Sequence, residues 1–206
     1  DGSGGGVIVD NLLAQYKVIN ASLVASPLNL FVDGSLQLSN IPFTGVSNYQ
    51  QITAGAHSIT VQSQATPGAN LLTLNPTLGS ASDTSIALVG PAGAMNGVVL
   101  ADDNLPPAVG SAGVRFVNTS ASSPSVDVFV NFSKQVSGLT QNTASSYLNL
   151  TATAVTGTAY EFDFNVTGTT SALLKLTGVV ITAPHKYTVY LAGPAGNLVG
   201  IVTQDN

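Results

Sequence analysis

The sequence predicts an all-β fold, two tandem antiparallel β-sandwiches of immunoglobulin-like or Greek-key type, on three observations. A stretch of about ninety residues occurs twice. Short apolar runs alternate with polar residues at a period of two. No window of a dozen residues repeats at the helical period, and the load of Gly, Pro, Thr and Val opposes helices.

The duplication organises the rest. Residues 18–34, VINASLVASPLNLFVDG, return at 114–131 as VRFVNTSASSPSVDVFVN. Asn20 falls on Asn118, Leu30-Phe31-Val32 on Val128-Phe129-Val130 and Tyr49 on Tyr147, all at an offset of 98. Ser26-Pro27 falls on Ser123-Pro124 at 97, the Gly-Pro-Ala-Gly of 90–93 on that of 193–196 at 103, and Asp103-Asn104 on Asp205-Asn206 at 102. An offset that drifts by a few residues is that of a tandem repeat with small insertions in loops. The expected division is a flexible leader with an extra strand at 1–15, a first sandwich at 16–104, a Pro/Gly linker at 105–113 and a second sandwich at 114–206.

Taken in order, residues 1–6, DGSGGG, are the leader. Val7, Ile8 and Val9, with Leu12 and Leu13, form an apolar segment that the second unit lacks. Residues 17–20 and 29–32 read as the first two strands, and Asp33-Gly34 is the signal of a two-residue hairpin turn. Residues 36–41, LQLSNI, alternate as a half-buried strand does. Strands at 49–52, 57–63 and 71–74 follow, and 85–90 with 98–101 close the unit. The second unit repeats the plan at 126–130, 147–153, 159–166, 173–180, 186–192 and 198–202. Its clearest strand is AYEFDFNV at 159–166. There Tyr160, Phe162, Phe164 and Val166 share one face; Glu161, Asp163 and Asn165 share the other, the expected solvent side. Phe31, Phe129, Tyr160, Phe162 and Phe164 all read as core residues. Both Gly-Pro-Ala-Gly turns read as hairpins, since a strand follows each and a phosphate cradle needs a helix.

Composition narrows the function classes. The chain of 206 residues is 44% hydrophobic yet only 7% charged, against about 25% in an ordinary soluble protein. A surface so poor in charge fits either a neutral polar coat on a secreted protein or a subunit covered by copies of itself. The net charge of -5, with five scattered Lys and Arg, excludes a basic stripe for nucleic acid or for a membrane surface. No apolar run reaches the roughly 20 residues of a spanning helix. The absence of Cys excludes a disulfide scaffold and fits a bacterial exterior as well as a reducing compartment; a start at Asp1 without Met is compatible with a processed mature form.

No catalytic, cofactor or metal constellation emerges. His57 and His185 occupy non-equivalent positions without Cys or carboxylate at ligand spacing. No Gly-x-Ser-x-Gly precedes a helix. Asp102-Asp103-Asn104 lacks the spacing of a calcium loop and reads as a solvated strand end.

The early Asn20-Ala21-Ser22, the pair Ser26-Pro27, the strand ending Val32-Asp33-Gly34 and the run TAGAHSITV at 53–61 together resemble the family of domains of unknown function numbered 4397. The second unit carries a looser match at 116–131, with Asn131-Phe132 in place of Asp-Gly. The resemblance implies an extracellular bacterial β-sandwich module and supplies no catalytic residues.

The function expected from these readings is a secreted, non-enzymatic structural subunit on the bacterial cell surface. It would need no cofactor and would take other copies of itself as partners in a filament or matrix. Val7, Ile8, Val9, Leu12 and Leu13 are the candidate strand donated to a neighbour. The alternative is a surface module that adheres to carbohydrate or protein, which an exposed aromatic platform would favour. A lipid anchor and a polysaccharide contact stay open.

Overall fold

The computed structural model describes residues 12–206. The first unit contains β1 (Leu13–Asn20), β2 (Leu28–Val32), β3 (Ser35–Ile41), β4 (Gln50–Thr53), β5 (Gly55–Ala56), β6 (Ile59–Ser63), β7 (Asn70–Leu74), β8 (Thr77–Leu78), β9 (Asp83–Val89) and β10 (Asn96–Asp102). The second contains β11 (Ser111–Asn118), β12 (Ser125–Val130), β13 (Ser133–Thr140), β14 (Leu148–Thr151), β15 (Thr158–Val166), β16 (Ala172–Ile181), β17 (Lys186–Ala192) and β18 (Val199–Gln204). Each unit is a sandwich of two four-stranded sheets. The sheets run β10-β9-β1-β4 and β3-β2-β6-β7 in the first, β14-β11-β17-β18 and β13-β12-β15-β16 in the second, so the topology is the same twice.

The strands depart from the expected plan in several places. The first unit carries an extra two-stranded ladder, β5 with β8, because Pro76 has no N–H to give and splits what in the second unit is the continuous β16. One ladder in each unit is parallel instead of antiparallel: β1 with β9, and β11 with β17. Strand β13 had no sequence signal, since its SKQVSGLT breaks alternation at Gly138, where the ladder with β12 is irregular. Residues 111–113, read as linker, are the start of β11, and β1 begins at Leu13, ahead of the expected residue 17.

Alternation along β1 explains how the units meet. Tyr16 and Val18 turn into the first unit's own core with Leu28, Leu30, Ile59, Val61, Ile86 and Leu88. Lys17 and Ile19 turn the opposite way. On that side Ile19, Ala87, Val89 and Val98 join Val117, Tyr190, Ala192 and Ile201 of the second unit in a separate apolar cluster. The β10-β9-β1-β4 sheet therefore lies against the β14-β11-β17-β18 sheet, and the central strands of both are covered on two faces. That is why β17 is buried from end to end and reads KYTVYLA without alternation.

The second core gathers Phe162 and Phe164 edge-on against Phe116, at ring-centroid distances of 5.1 and 5.9 Å. Phe31 and Phe129 are corrected: Leu30 and Val32, and Val128 and Val130, take the core side, so both rings lie half-buried on outer faces. Each unit turns a matching corner on a fully buried asparagine. Asn20 donates to the Ile41 carbonyl at 3.0 Å and accepts from the Ser22 amide at 3.1 Å. Asn118 donates to the Ser123 and Leu139 carbonyls at 2.8 and 3.2 Å.

Of the candidate donated strand, Val7, Ile8 and Val9 lie outside the described residues. Leu13 opens β1 opposite Thr53. The carbonyls of Leu12 and Leu13 accept from the Ala54 and Ala81 amides of their own unit at 2.7 and 2.8 Å, while both side chains stand half exposed. Among the described residues no helix is long and apolar enough to cross a membrane.

Candidate functional site

Ionisable groups are scarce in this chain, so where they sit is informative. Three arrangements account for nearly all of those described: an ionic core between the units, a histidine pair in the first unit and a charged outer face on the second.

The ionic core obeys an approximate two-fold exchange. Lys17 Nζ of the first unit donates to Asp205 Oδ1 of the second at 2.6 Å; Arg115 Nη2 of the second donates to Asp102 Oδ1 of the first at 2.5 Å. Each carboxylate uses its other oxygen within its own unit. Asp102 Oδ2 accepts from the hydroxyls of Tyr49 and Ser85 at 2.6 and 2.7 Å, and Asp205 Oδ2 from those of Tyr147 and Thr188 at 2.7 and 2.6 Å. Each cation lies against its own unit's tyrosine ring, Lys17 at 4.9 Å from the Tyr49 centroid and Arg115 at 4.7 Å from that of Tyr147. Lys186 adds a bond to Asp103 Oδ2 at 2.7 Å. Burial, then the adjoining carboxylates, push the Tyr49 phenol far above its ordinary range. Desolvated charges in such a network are held by complementary geometry alone, so the core specifies how the units dock more than it adds net stability.

This arrangement corrects three sequence readings. Asp102 is a buried interface residue, not a solvated strand end. The register places Asp102, not Asp103, on Asp205: Ala101 faces Thr84 as Gln204 faces Tyr187, each one residue before the aspartate. The scattered cations Lys17, Arg115 and Lys186 converge in space. The sequence signal was present, because Lys17 and Arg115 both interrupt apolar strands at the same place in the repeat.

In the first unit His57 is held between two acceptors. Its Nε2 lies 2.7 Å from the Thr53 carbonyl and its Nδ1 2.7 Å from Asp33 Oδ2. A carbonyl and a carboxylate are both acceptors, so the doubly protonated ring can donate to each, and this pairing favours that form. The bond to Asp33 accordingly raises the His57 pKa and lowers that of Asp33. In the second unit Tyr160 and Asn131 perform the same tasks without ionising: the Tyr160 hydroxyl donates to the Thr151 carbonyl at 2.8 Å, and Asn131 Oδ1 accepts from the Glu161 amide at 2.9 Å. Beside His57, a cavity of about 290 Å³ is lined by Tyr16, Asp33, Ser35, Gln37, Gln51 and Thr53, among others.

The outer face of the β13-β12-β15-β16 sheet holds Asp127, Lys134, Glu161, Asp163 and Lys175. At the matching positions the first unit has Asn29, Leu36, Ser58, Thr60 and Thr73, none of them charged. Asp127 is structural, accepting from the Gly138 amide at 2.8 Å as Asn29 accepts from Asn40 at 3.0 Å. The others have no such counterpart. Lys175 Nζ lies 2.9 Å from Asp163 Oδ2, 3.4 Å from Glu161 Oε1 and 5.9 Å from the centroid of the Phe132 ring. Phe132 is 74% exposed, at the tip of the β12–β13 hairpin, with φ of 68°. Its counterpart is Gly34, φ 81°. A bulky residue in the left-handed region is a local strain that an ordinary hairpin avoids by using glycine. Two oxygens on this face, Asp163 Oδ1 and Asn165 Oδ1, are buried with no donor among the described residues. Glu161 and Asp163 do share the outer side as expected, but Asp163 is buried there by its neighbours.

Among the described residues no three His, Cys, Asp or Glu side chains are grouped to hold a metal ion. His185 stands apart, with Nδ1 3.2 Å from Gln204 Nε2.

A doubled eight-stranded sandwich whose halves exchange buried ions defines the class of this protein. The family profile described as a domain of unknown function (DUF4397) matches residues 14–129 and again 112–206, and the chain belongs to that family. No curated protein matches. Among solved structures, one that the chain is similar to is the carbohydrate-binding module CBMbc (family CBM26) of Eubacterium rectale Amy13K in complex with maltoheptaose. The identity is 9%, over 90% of this chain and 95% of that one, with a TM-score of 0.27, too loose a superposition to carry an argument.

Proposed function

We propose that the protein is a non-catalytic binding module displayed outside the cell, with the outer face of the second unit as its contact surface and the first unit as its support. The observation that carries this reading is the divergence of two otherwise matching units. Corner asparagines, ionic core and sheet order agree between them, whereas an exposed ring and a cluster of charged groups occur on one unit only. A catalytic role finds no support in the ionisable groups described above: the histidine of the first unit is engaged at both ring nitrogens, and the interface carboxylates are saturated with bonds. An array carrying both glycans and extracellular proteins tests the proposal. Retention on either class should be lost in the double variant Glu161→Ser, Lys175→Thr, which installs the first unit's residues; absence of retention on all of them would sink it.

A second reading, self-assembly through the N-terminal segment, draws on the half-exposed apolar side chains of Leu12 and Leu13 directly before and at the start of β1. Its test is negative-stain imaging of the full chain and of a chain lacking residues 1–11. Fibres in the first and none in the second would favour it over the binding module.

A further inference from the structure

We infer that the ligand of this face is a hydroxyl-rich saccharide chain, with Phe132 as the stacking platform and Asp163 and Asn165 as acceptors for its hydroxyls; this rests on the binding-module reading. The surface places a flat apolar ring beside hydrogen-bonding groups. A pyranose has the complementary surface, with axial C–H groups on one face and hydroxyls round the edge. The ring is open to solvent, and the groups round it are polar: Asn131, Ser133, Lys134 and Gln135 adjoin it in the chain, and Lys175 stands beside it with Glu161 and Asp163.

A protein partner calls for something else. Energetic centres of protein interfaces are aromatic anchors set among other apolar groups that exclude water; here Phe132 is flanked in the chain by polar residues, and the Phe129 ring on the same face is half-buried between Lys134 and Asp163. Nucleic acid would meet a face on which Glu161, Asp163 and Asp127 outnumber Lys134 and Lys175.

The orphan oxygens supply the second observation. Buried acceptors are nearly always satisfied, and those left over ask for a donor that the protein does not provide. Asp163 Oδ1 and Asn165 Oδ1 sit two residues apart on one face of β15, and both can only accept. Lys175, half exposed and bound to the other Asp163 oxygen, is the movable cover beside the first of them. A saccharide hydroxyl that displaces part of this cover donates to Asp163 or Asn165 and accepts from the Lys175 ammonium, so both partners stay bonded. The first unit has Gly34, Thr60, Gln62 and Thr73 at these places and can offer neither the ring nor the carboxylate.

Affinity gel electrophoresis with soluble amylose, xylan, laminarin and mannan as probes tests the inference. The protein should be retarded by at least one of them. Phe132→Gly, which installs the residue of the matching turn and relieves strain, should weaken that retardation at least about tenfold, whereas Phe132→Tyr should keep it. Thermal unfolding run alongside should find Phe132→Gly no less stable, which separates a lost contact from a lost fold. Equal retardation of Phe132→Gly and the parent would overturn the assignment of the ring. Retardation by none of the polysaccharides, with retention on extracellular proteins of the array, would overturn the saccharide class and leave the binding module standing. Failure on polysaccharides and proteins alike would remove both.

Discussion

Lys17 Nζ meets Asp205 Oδ1 at 2.6 Å across 188 residues of sequence, and both side chains are withdrawn from water. With Arg115 and Asp102 they form an exchange in which each unit's cation meets the other unit's carboxylate. Apolar contact alone would let two such sheets slide over one another; four desolvated charges allow one register.

Breaking one member should therefore be far worse than removing a pair. Asp102→Ala leaves the Arg115 guanidinium buried without its carboxylate and is expected to destabilise the chain by about 3–5 kcal/mol. Replacing both partners by apolar residues, Arg115→Met with Asp102→Leu, is expected to cost much less. Urea unfolding of the parent, Asp102→Leu, Arg115→Met and the double variant measures the difference. A loss in the double variant equal to the sum of the two single losses would mean that the partners contribute independently.

The histidine pair makes stability depend on pH in a direction that its geometry fixes. The His57 pKa is raised above its ordinary 6.5, so its contribution is fully present below that value and fades as pH rises through the higher folded value. The Asp33 pKa is lowered below 3.8, so its share is present above that value and is lost as pH falls through the lower folded one. The first unit should be most stable between those two limits. The thermal midpoint is expected to fall from pH 6 to pH 9. The double variant His57→Tyr, Asp33→Asn, which copies the second unit, should remove most of that slope.

The buried corner asparagines make a local prediction. Asn118→Ala strips the donors from the Ser123 and Leu139 carbonyls and the acceptor from the Ser120 amide, which lies 3.3 Å from Oδ1. Leaving such groups buried and unpaired is expected to cost about 2–4 kcal/mol. Chemical denaturation of Asn118→Ala beside Asn118→Asp checks it, since the aspartate keeps the acceptor but sets a buried carboxylate against the two carbonyls and is expected to cost at least as much as the alanine.

Much of the fold was legible in the sequence because it rests on local rules applied twice. The repeat fixed the unit, Asp33-Gly34 and both Gly-Pro-Ala-Gly turns marked hairpins, and alternation in 159–166 placed Phe162 and Phe164 correctly. What alternation could not give is which side of a strand meets a second sheet. Once the β10-β9-β1-β4 and β14-β11-β17-β18 sheets cover one another their polar positions are no longer outer ones, so Lys17, Arg115 and Asp102 read as surface residues in the sequence although they are buried. The candidate site was legible only as a contrast. Asn131-Phe132 departs from Asp-Gly in the sequence, but its meaning depends on the positive φ and the exposure of the ring, which the chain's order alone does not state.

That contrast makes the last prediction the sharpest. Holding a non-glycine residue in the left-handed region costs about 1–2 kcal/mol, and glycine loses about 0.5–1 kcal/mol more backbone entropy on folding than a substituted residue. Phe132→Gly is therefore expected to stabilise the chain by about 0.5–1 kcal/mol. For a protein of this size that raises the thermal midpoint by roughly 1–4 °C. The reverse change in the first unit, Gly34→Phe, should lower it, because a side chain is strained at its φ of 81°. Differential scanning calorimetry of both variants measures the two signs. If Phe132→Gly instead lowers the midpoint, the ring is packed into the fold and its exposure has no bearing on ligands. If it raises the midpoint, the protein carries a strained aromatic residue that its own stability disfavours, and the reason for that residue must lie in what the ring touches outside the chain.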